Sequence, residues 1–403
     1  MTRWVLLLWV CLGVGAVAGE ALGATVLYVD GEHGHDTASG LSWETALSSI
    51  QAAIDQADGP TEIWVRAGIY NEFIALESDI TLLGGFIGHE TDRSNRDFRR
   101  HITVIDGTMS HPQWDINAIH TVSIQGKHNV HIDGLHITGG GAIAGSWLPD
   151  DDAQGGGIFC RDVDDSVIIT NCTIAGNEAL AHGGGIACIN ASPRIQNCTV
   201  AGNHAQKMAG GIGLYNGSDS QVINALVFGN VCDDPATSNY GVAGGIAATA
   251  SSPVIFNTTI AHNFAADFAG GLIARNEGTE SSRPLVRNSI IVENRPFGIV
   301  GHGDMHSESF ATIESSLVAN NYRWTTTALL ADYQAPDGGI YQGADDLNAL
   351  PEFVDILAGD PVFVGDGPKR IEGVWTANAV YNPTTHRTVF TADPGAFVPD
   401  ALV

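Results

Sequence analysis

Apolar residues fall two apart along short stretches of this chain, and single three-residue steps separate the stretches. Ile158 and Cys160 are two apart, Ile169 and Cys172 three, Cys172 and Ile174 two. A period of two is that of a strand with one buried face. The longer step falls at Thr170-Asn171 and again at Gln196-Asn197, where the chain turns a corner without changing which face points inward. Asn tolerates the left-handed backbone that such a corner needs, and Gly supplies it elsewhere.

Two phrases alternate on this pattern. Gly155-Gly156-Gly157-Ile158 returns as Gly183-Gly184-Gly185-Ile186, then as Gly210-Gly211-Ile212, Gly244-Gly245-Ile246 and Gly270-Gly271-Leu272. Their final glycines are separated by 28, 26, 34 and 26 residues. Between them an apolar residue precedes Asn by three positions, from Ile174 to Asn177 through Ile291 to Asn294, with a last copy read at Leu317 to Asn320. A fixed period of this size marks a solenoid. One repeat reads as roughly three short strands joined by bends, too little to bury a core alone. Coils stacked about 4.8 Å apart bury one together. The fold class is therefore all-β, a parallel β-helix solenoid. Like positions form ladders: Ile158, Ile186, Ile212, Ile246 and Leu272 inside, and Asn171, Asn197, Asn224, Asn257 and Asn288 at a corner. The extra residues around Cys232 to Tyr240 read as a loop on one face.

The flanks complete the organisation. Residues 1–23 read as a signal peptide: Arg3 precedes an apolar run from Trp4 to Val17 and then small residues. No other apolar span of membrane length follows, so the mature chain has no membrane span. Residues 24–320 form the β-helix. Its first part carries strands at Tyr28 to Asp30, Ile63 to Val65 and Ile80 to Leu83, and an amphipathic helix capped by Ser42 that bears Trp43, Leu47, Ile50 and Ile54. That helix covers the open end of the first coil. Residues 321–403 are a loop-rich C-terminal cap region with a hairpin from Val374-Trp375-Thr376 to Val389-Phe390-Thr391.

Charge narrows the partners. With 18 basic and 45 acidic residues the chain carries -27, which excludes a nucleic acid held through phosphates. Hydrophobic residues at 44% are ample for a core despite that charge.

The Gly-Gly-x-Ile and Ile-x-x-Asn phrases resemble the repeats of chlamydial polymorphic outer-membrane proteins. More broadly they resemble the right-handed parallel β-helix (pectin lyase-like) group, which includes pectate lyases. Tyr28-Val29-Asp30, Gly40-Leu41-Ser42-Trp43 and Ala67-Gly68-Ile69-Tyr70 are similar to the start of many secreted bacterial β-helix proteins. The resemblance implies a right-handed coil and spans roughly residues 25 to 320. The chlamydial pattern has Ala after its glycine pair and Phe where Ile174, Val200 and Ile260 stand here.

Candidate chemistry is thin. Asp150-Asp151-Asp152, with Asp162, Asp164 and Asp165 one coil edge later, is a candidate calcium site through oxygen ligands. The resemblance to β-helix lyases implies calcium beside an Arg base, for which Arg161 is nearest; a solvated acidic rim is the competing reading. Asp233-Asp234, Gly301-His302-Gly303 and Arg370-Ile371-Glu372 faintly echo polygalacturonase phrases, but Glu372 breaks the echo. His120, His128, His131 and His136 crowd into one coil around Asp133 and read as a wet outer strand. Cys160 with Cys188 and Cys172 with Cys198 fall on two ladders, read as buried free thiols because in-register side chains point the same way. Asn-x-Thr sequons at Asn171, Asn197 and Asn257 are better explained as corners. The expected function is an exported or cell-surface module that binds polysaccharide or cell-surface glycans without cleaving them. The alternative is a polysaccharide lyase or glycoside hydrolase.

Overall fold

Each strand of the repeat pairs in parallel with its copy one coil along. Ile158 lies opposite Ile186, Ile186 opposite Ile212, Ile212 opposite Ile246 and Ile246 opposite Leu272. The computed structural model describes residues 24–108, 120–142, 153–233, 241–302, 309, 311–319 and 321; beyond these it describes only the backbone of short strands between 333 and 399. The signal-peptide residues 1–23 lie outside the described residues.

Four parallel sheets run along the solenoid. Sheet A has ten strands, from Thr25–Val29 to Thr312–Glu314, and sheet B nine, from Gly68–Tyr70 to Leu317–Ala319. Sheet C has nine, from Ile74–Ala75 to Tyr333–Gln334. Sheet D has five two-residue strands, from Gly141–Ala142 to Phe264–Ala265. A central coil thus visits C, A, B and D in turn, four strands where the spacing predicted three. Two residues are too few to show a period, so sheet D left no hydrophobic signal. It also relocates Cys232, which lies on strand Val231–Cys232, stacked between Ala205 and Ala265, not in the inserted loop.

Left-handed residues make the corners. Asn171, Asn197, Asn224, Asn257 and Asn288 turn the chain from sheet A to sheet B with φ between 49° and 53°. Asp162, Asn190 and Asn216 do the same between sheets C and A, with Ala250 in the fourth copy. The apolar ladder beginning at Ile158 is fully buried in every coil and forms one continuous core from Leu27 to Val318.

The amino-terminal end is closed by a shorter helix than predicted. Trp43–Thr45 is a 3-10 turn, and the α-helix, α1, spans Ile50–Gln56 with Ser49 as its cap. The chain between them is held extended. Leu47 bridges to Val29, and the Asp36 carboxylate accepts from the backbone and hydroxyl of both Ser48 and Ser49 at 2.7–3.0 Å. These contacts outcompete a helix starting at Ser42. Helix α1 buries Ile50, Ala53 and Ile54 against the first strands of sheets A and C. Tyr28, Trp43, Trp64 and Phe86 pack on the outside of sheet A with ring centroids 4.8–5.8 Å apart. Beyond 334 the strand backbones are antiparallel: Ile371–Trp375 lies between Pro361–Val364 and Phe397–Pro399, and Ala379–Asn382 pairs with Arg387–Phe390.

Candidate functional site

The two repeated phrases are halves of one structural device. A Cβ on Gly157 would lie 2.8 Å from Asn177 Nδ2 and 2.6 Å from the carbonyl oxygen of Gly185; on Gly211 it would lie 3.1 Å from Asn230 Nδ2 and 2.5 Å from Gly245 O. Only glycine leaves room for the asparagine ladder inside. Asn177, Asn203, Asn230, Asn263 and Asn294 are nearly or fully buried, and each donates its backbone N–H and its Nδ2 to the Oδ1 of the next at 2.9–3.1 Å. Each Nδ2 also donates back to a main-chain carbonyl, such as Asn230 to Val200 at 2.9 Å. The last copy is Val318 to Asn321, one residue later than the sequence spacing suggested. Val318 pairs with Ile291, and Asn321 Oδ1 accepts from Asn294.

Smaller polar ladders serve the other bends. Ala191, Ser218, Ser251 and Ser282 each donate their backbone N–H to the next hydroxyl at 2.9–3.0 Å, ending on Ser309. A third ladder carries Thr258, Ser289 and Ser316 in its later coils. Cys172 and Cys198 hold the same position in the earlier ones, their thiols donating to Thr170 O and Gln196 O at 3.1 Å. All five described cysteines are free and buried. The neighbouring Cys188 thiol and burial push Cys160 well up, burial and Cys198 do the same to Cys172, and burial pushes Cys232 up to about 12. Thiols held protonated in this way are packing groups and weak nucleophiles.

Those candidate carboxylates that are described, and Arg161, each have a partner of their own. Asp150, Asp151 and Asp152 lie outside the described residues. Asp162 accepts from Asn190 Nδ2 at 2.6 Å, Asp164 from the backbone and hydroxyl of Ser166, and Asp165 is ion-paired with Arg194. Arg161 lies over the Phe159 ring, 5.2 Å from its centroid. Asp233 pairs with His204, Oδ1 to Nε2 2.7 Å, while Asp234, Gly303 and Arg370 are outside the described residues. The four histidines scatter. His120 stacks on Phe159, His128 pairs with Ser78, His131 sits on sheet A and His136 on sheet B. His131 is half-buried: burial lowers its pKa, and its Nε2 is enclosed without a hydrogen-bond partner. Asp133 beside it is ion-paired with Arg96. Among the described residues no three His, Cys, Asp or Glu side chains are grouped to hold a metal, and no helix is long and apolar enough to cross a membrane.

What the solenoid does present is a long ridge at the corner between sheets A and B; the asparagine ladder of that corner was legible in the sequence, its apolar flanks were not read. Asn197, Asn224 and Asn257 are exposed there. Asn224 Nδ2 donates to Asn197 Oδ1 at 2.8 Å, and Asn288 Nδ2 donates to Asn257 Oδ1. On sheet A the outward neighbours are Gln221 and Ile223, then Val254 and Phe256, then Leu285 and Arg287. On sheet B they are Leu226 and Phe228, Thr259 and Ala261, Ile290 and Val292. Alternation gives these residues outward positions because Val222, Ile255, Val286, Val227, Ile260 and Ile291 between them are fully buried. The signal was present in the sequence as apolar residues on both phases of the strand.

A family model described as "Right handed beta helix region" matches residues 120–346. Among solved structures the chain is similar to a pectate lyase, at 12% identity over 79% of this chain and 82% of that one, TM-score 0.46. It is also similar to a pectin methylesterase from Aspergillus niger, at 16% identity over 75% and 87%, TM-score 0.38. A rhamnogalacturonan lyase aligns at 12% identity over 76% and 78%, TM-score 0.40. No curated protein matches the chain.

Proposed function

This chain belongs to the right-handed β-helix family, and we propose that it is an exported member that binds an extended glycan along its side without cleaving it. The observation that carries the reading is the strict register of outward positions. From Asn171 to Asn288 each corner residue lies over its copy in the coil before, so the surface repeats at the coil spacing of about 4.8 Å. A polymer of sugars repeats at a similar rise and meets like groups unit after unit. The carboxylates and bases around residues 161–165 and at 233 are meanwhile engaged with partners of their own. A hydrolase needs two carboxylates facing one cleft, and a lyase a base beside a neutralised uronate.

A screen of the purified chain on uronate and neutral polysaccharides, with and without Ca²⁺, tests this. Retention on a polysaccharide with no new reducing ends and no absorbance from unsaturated products is the expected result. Calcium-dependent turnover would overturn it in favour of a lyase served by Asp150, Asp151 and Asp152.

A further inference from the structure

Resting on the glycan-binding reading, we infer that the ridge between sheets A and B takes an uncharged polysaccharide lying parallel to the solenoid axis. The argument begins with charge. The chain carries -27 and 16% of its residues are charged. Yet over three coils, from Gln221 to Val292, the only ionisable side chain at an outward strand position beside this corner is Arg287, and its Nε is ion-paired with Glu314 Oε2 at 2.8 Å. Arg194, which borders the ridge at the other end, is paired with Asp165. His262, whose ring packs against Phe228, is paired with Glu293. A polyanion would meet repulsion from the whole molecule and find these bordering groups already compensated. A neutral chain meets neither obstacle.

The groups present fit such a chain. Sugar rings have an apolar C–H face and a rim of hydroxyls that both donate and accept. Ile223, Leu226 and Phe256 offer partly exposed apolar surface to the first. The carboxamides of Asn224 and Asn257, which also both donate and accept, face solvent to meet the second. The hydrogen bond between Asn224 and Asn197 fixes the rotamer of the amide beforehand, which lowers the entropy lost on binding.

Affinity electrophoresis of the full chain through gels containing galactomannan, hydroxyethylcellulose or polygalacturonate separates the outcomes. Two variants locate the site: Phe256→Ser removes apolar surface from an outward position. Asn257→Asp keeps the acceptor for Asn288 and a residue type that tolerates the corner, but places a carboxylate on the ridge. A neutral gel is expected to retard the wild type, with retention weakened about tenfold or more in each variant while circular dichroism stays unchanged. Retention by polygalacturonate alone would overturn the ligand class and leave glycan binding standing. Neutral retention that both variants keep in full would overturn the location. No retention on any polysaccharide would overturn this inference and the function on which it rests.

Discussion

Asn230 satisfies two backbone groups that the strands around it leave open. Its Oδ1 accepts from the Asn203 backbone N–H at 3.1 Å, and its Nδ2 donates to Val200 O at 2.9 Å. Asn230→Leu would fill the volume and leave both groups buried without partners, at about 1–3 kcal/mol each. A urea melt should therefore show a loss of roughly 3–5 kcal/mol, the upper part of the range for single substitutions. Gly211→Ala attacks the same contact from the other side and should cost about 1–3 kcal/mol by overpacking. Cys198→Ser is the control, expected within about 1 kcal/mol of wild type because Ser289 and Thr258 already serve its ladder. A Cys198→Ser loss as large as that of Asn230→Leu would refute the hydroxyl-like role assigned to the thiol. Both phrases were plain in the sequence, but their contact was not. Gly157 and Asn177 are twenty residues apart, and only closure of the coil brings them together.

Helix α1 shows how an element can be right in kind and wrong in extent. The apolar spacing from Trp43 to Ala57 suits a helix, but Asp36 and Leu47 tie residues 47–49 into extended backbone, and such tertiary ties carry no local signal. The same ties make this end of the solenoid acid-sensitive. Burial raises the Asp30 carboxyl, but hydrogen bonds from the Glu32 and His33 backbone and from Arg66 outweigh it and leave the pKa lowered. Asp36 is likewise lowered by Ser48 and Ser49 against the effect of burial, and Glu90 by the backbone of residues 87–90. Carboxylates with lowered folded values stabilise the fold above their unfolded range, near pH 4, and that contribution vanishes as pH falls through the folded values. Glu72, raised by burial, runs the other way and offsets part of the loss. Hydrogen exchange corrected for intrinsic rates should show residues 27–29 and 50–56 losing protection below about pH 4 while the ladder from Ile158 to Leu272 keeps its own. Simultaneous loss across both regions would count against a separately acid-labile cap.

At the scale of the whole molecule, stability comes from contacts between neighbouring coils, since each coil touches only the one before and the one after. That is why the fold was legible from a period alone. The uncharged ridge between sheets A and B was not, although its apolar residues stand on both phases of the strands, because which of them come to lie side by side is set by the stacking of coils of unequal length. The coil-by-coil logic has a direct consequence for deletion. Removing residues 186–211, a segment of 26 residues, joins Gly185 to Ile212 and regenerates the same Gly-Gly-Ile junction. Ile212 then stacks on Ile158, Asn230 on Asn177, and Asn224 on Asn171, so every ladder closes on an equivalent residue. The shortened chain should fold with an unchanged β-type circular dichroism signal per residue and a melting temperature lowered by a few degrees, as one neighbour interface is lost. Deleting only residues 186–198 removes half a circuit. It sets sheet B residues over sheet C, puts Asn203 out of line with Asn177, and leaves the polar groups of both buried. That chain should fail to give a cooperative melt. Equal behaviour of the two deletions would mean that register along the axis does not govern stability here.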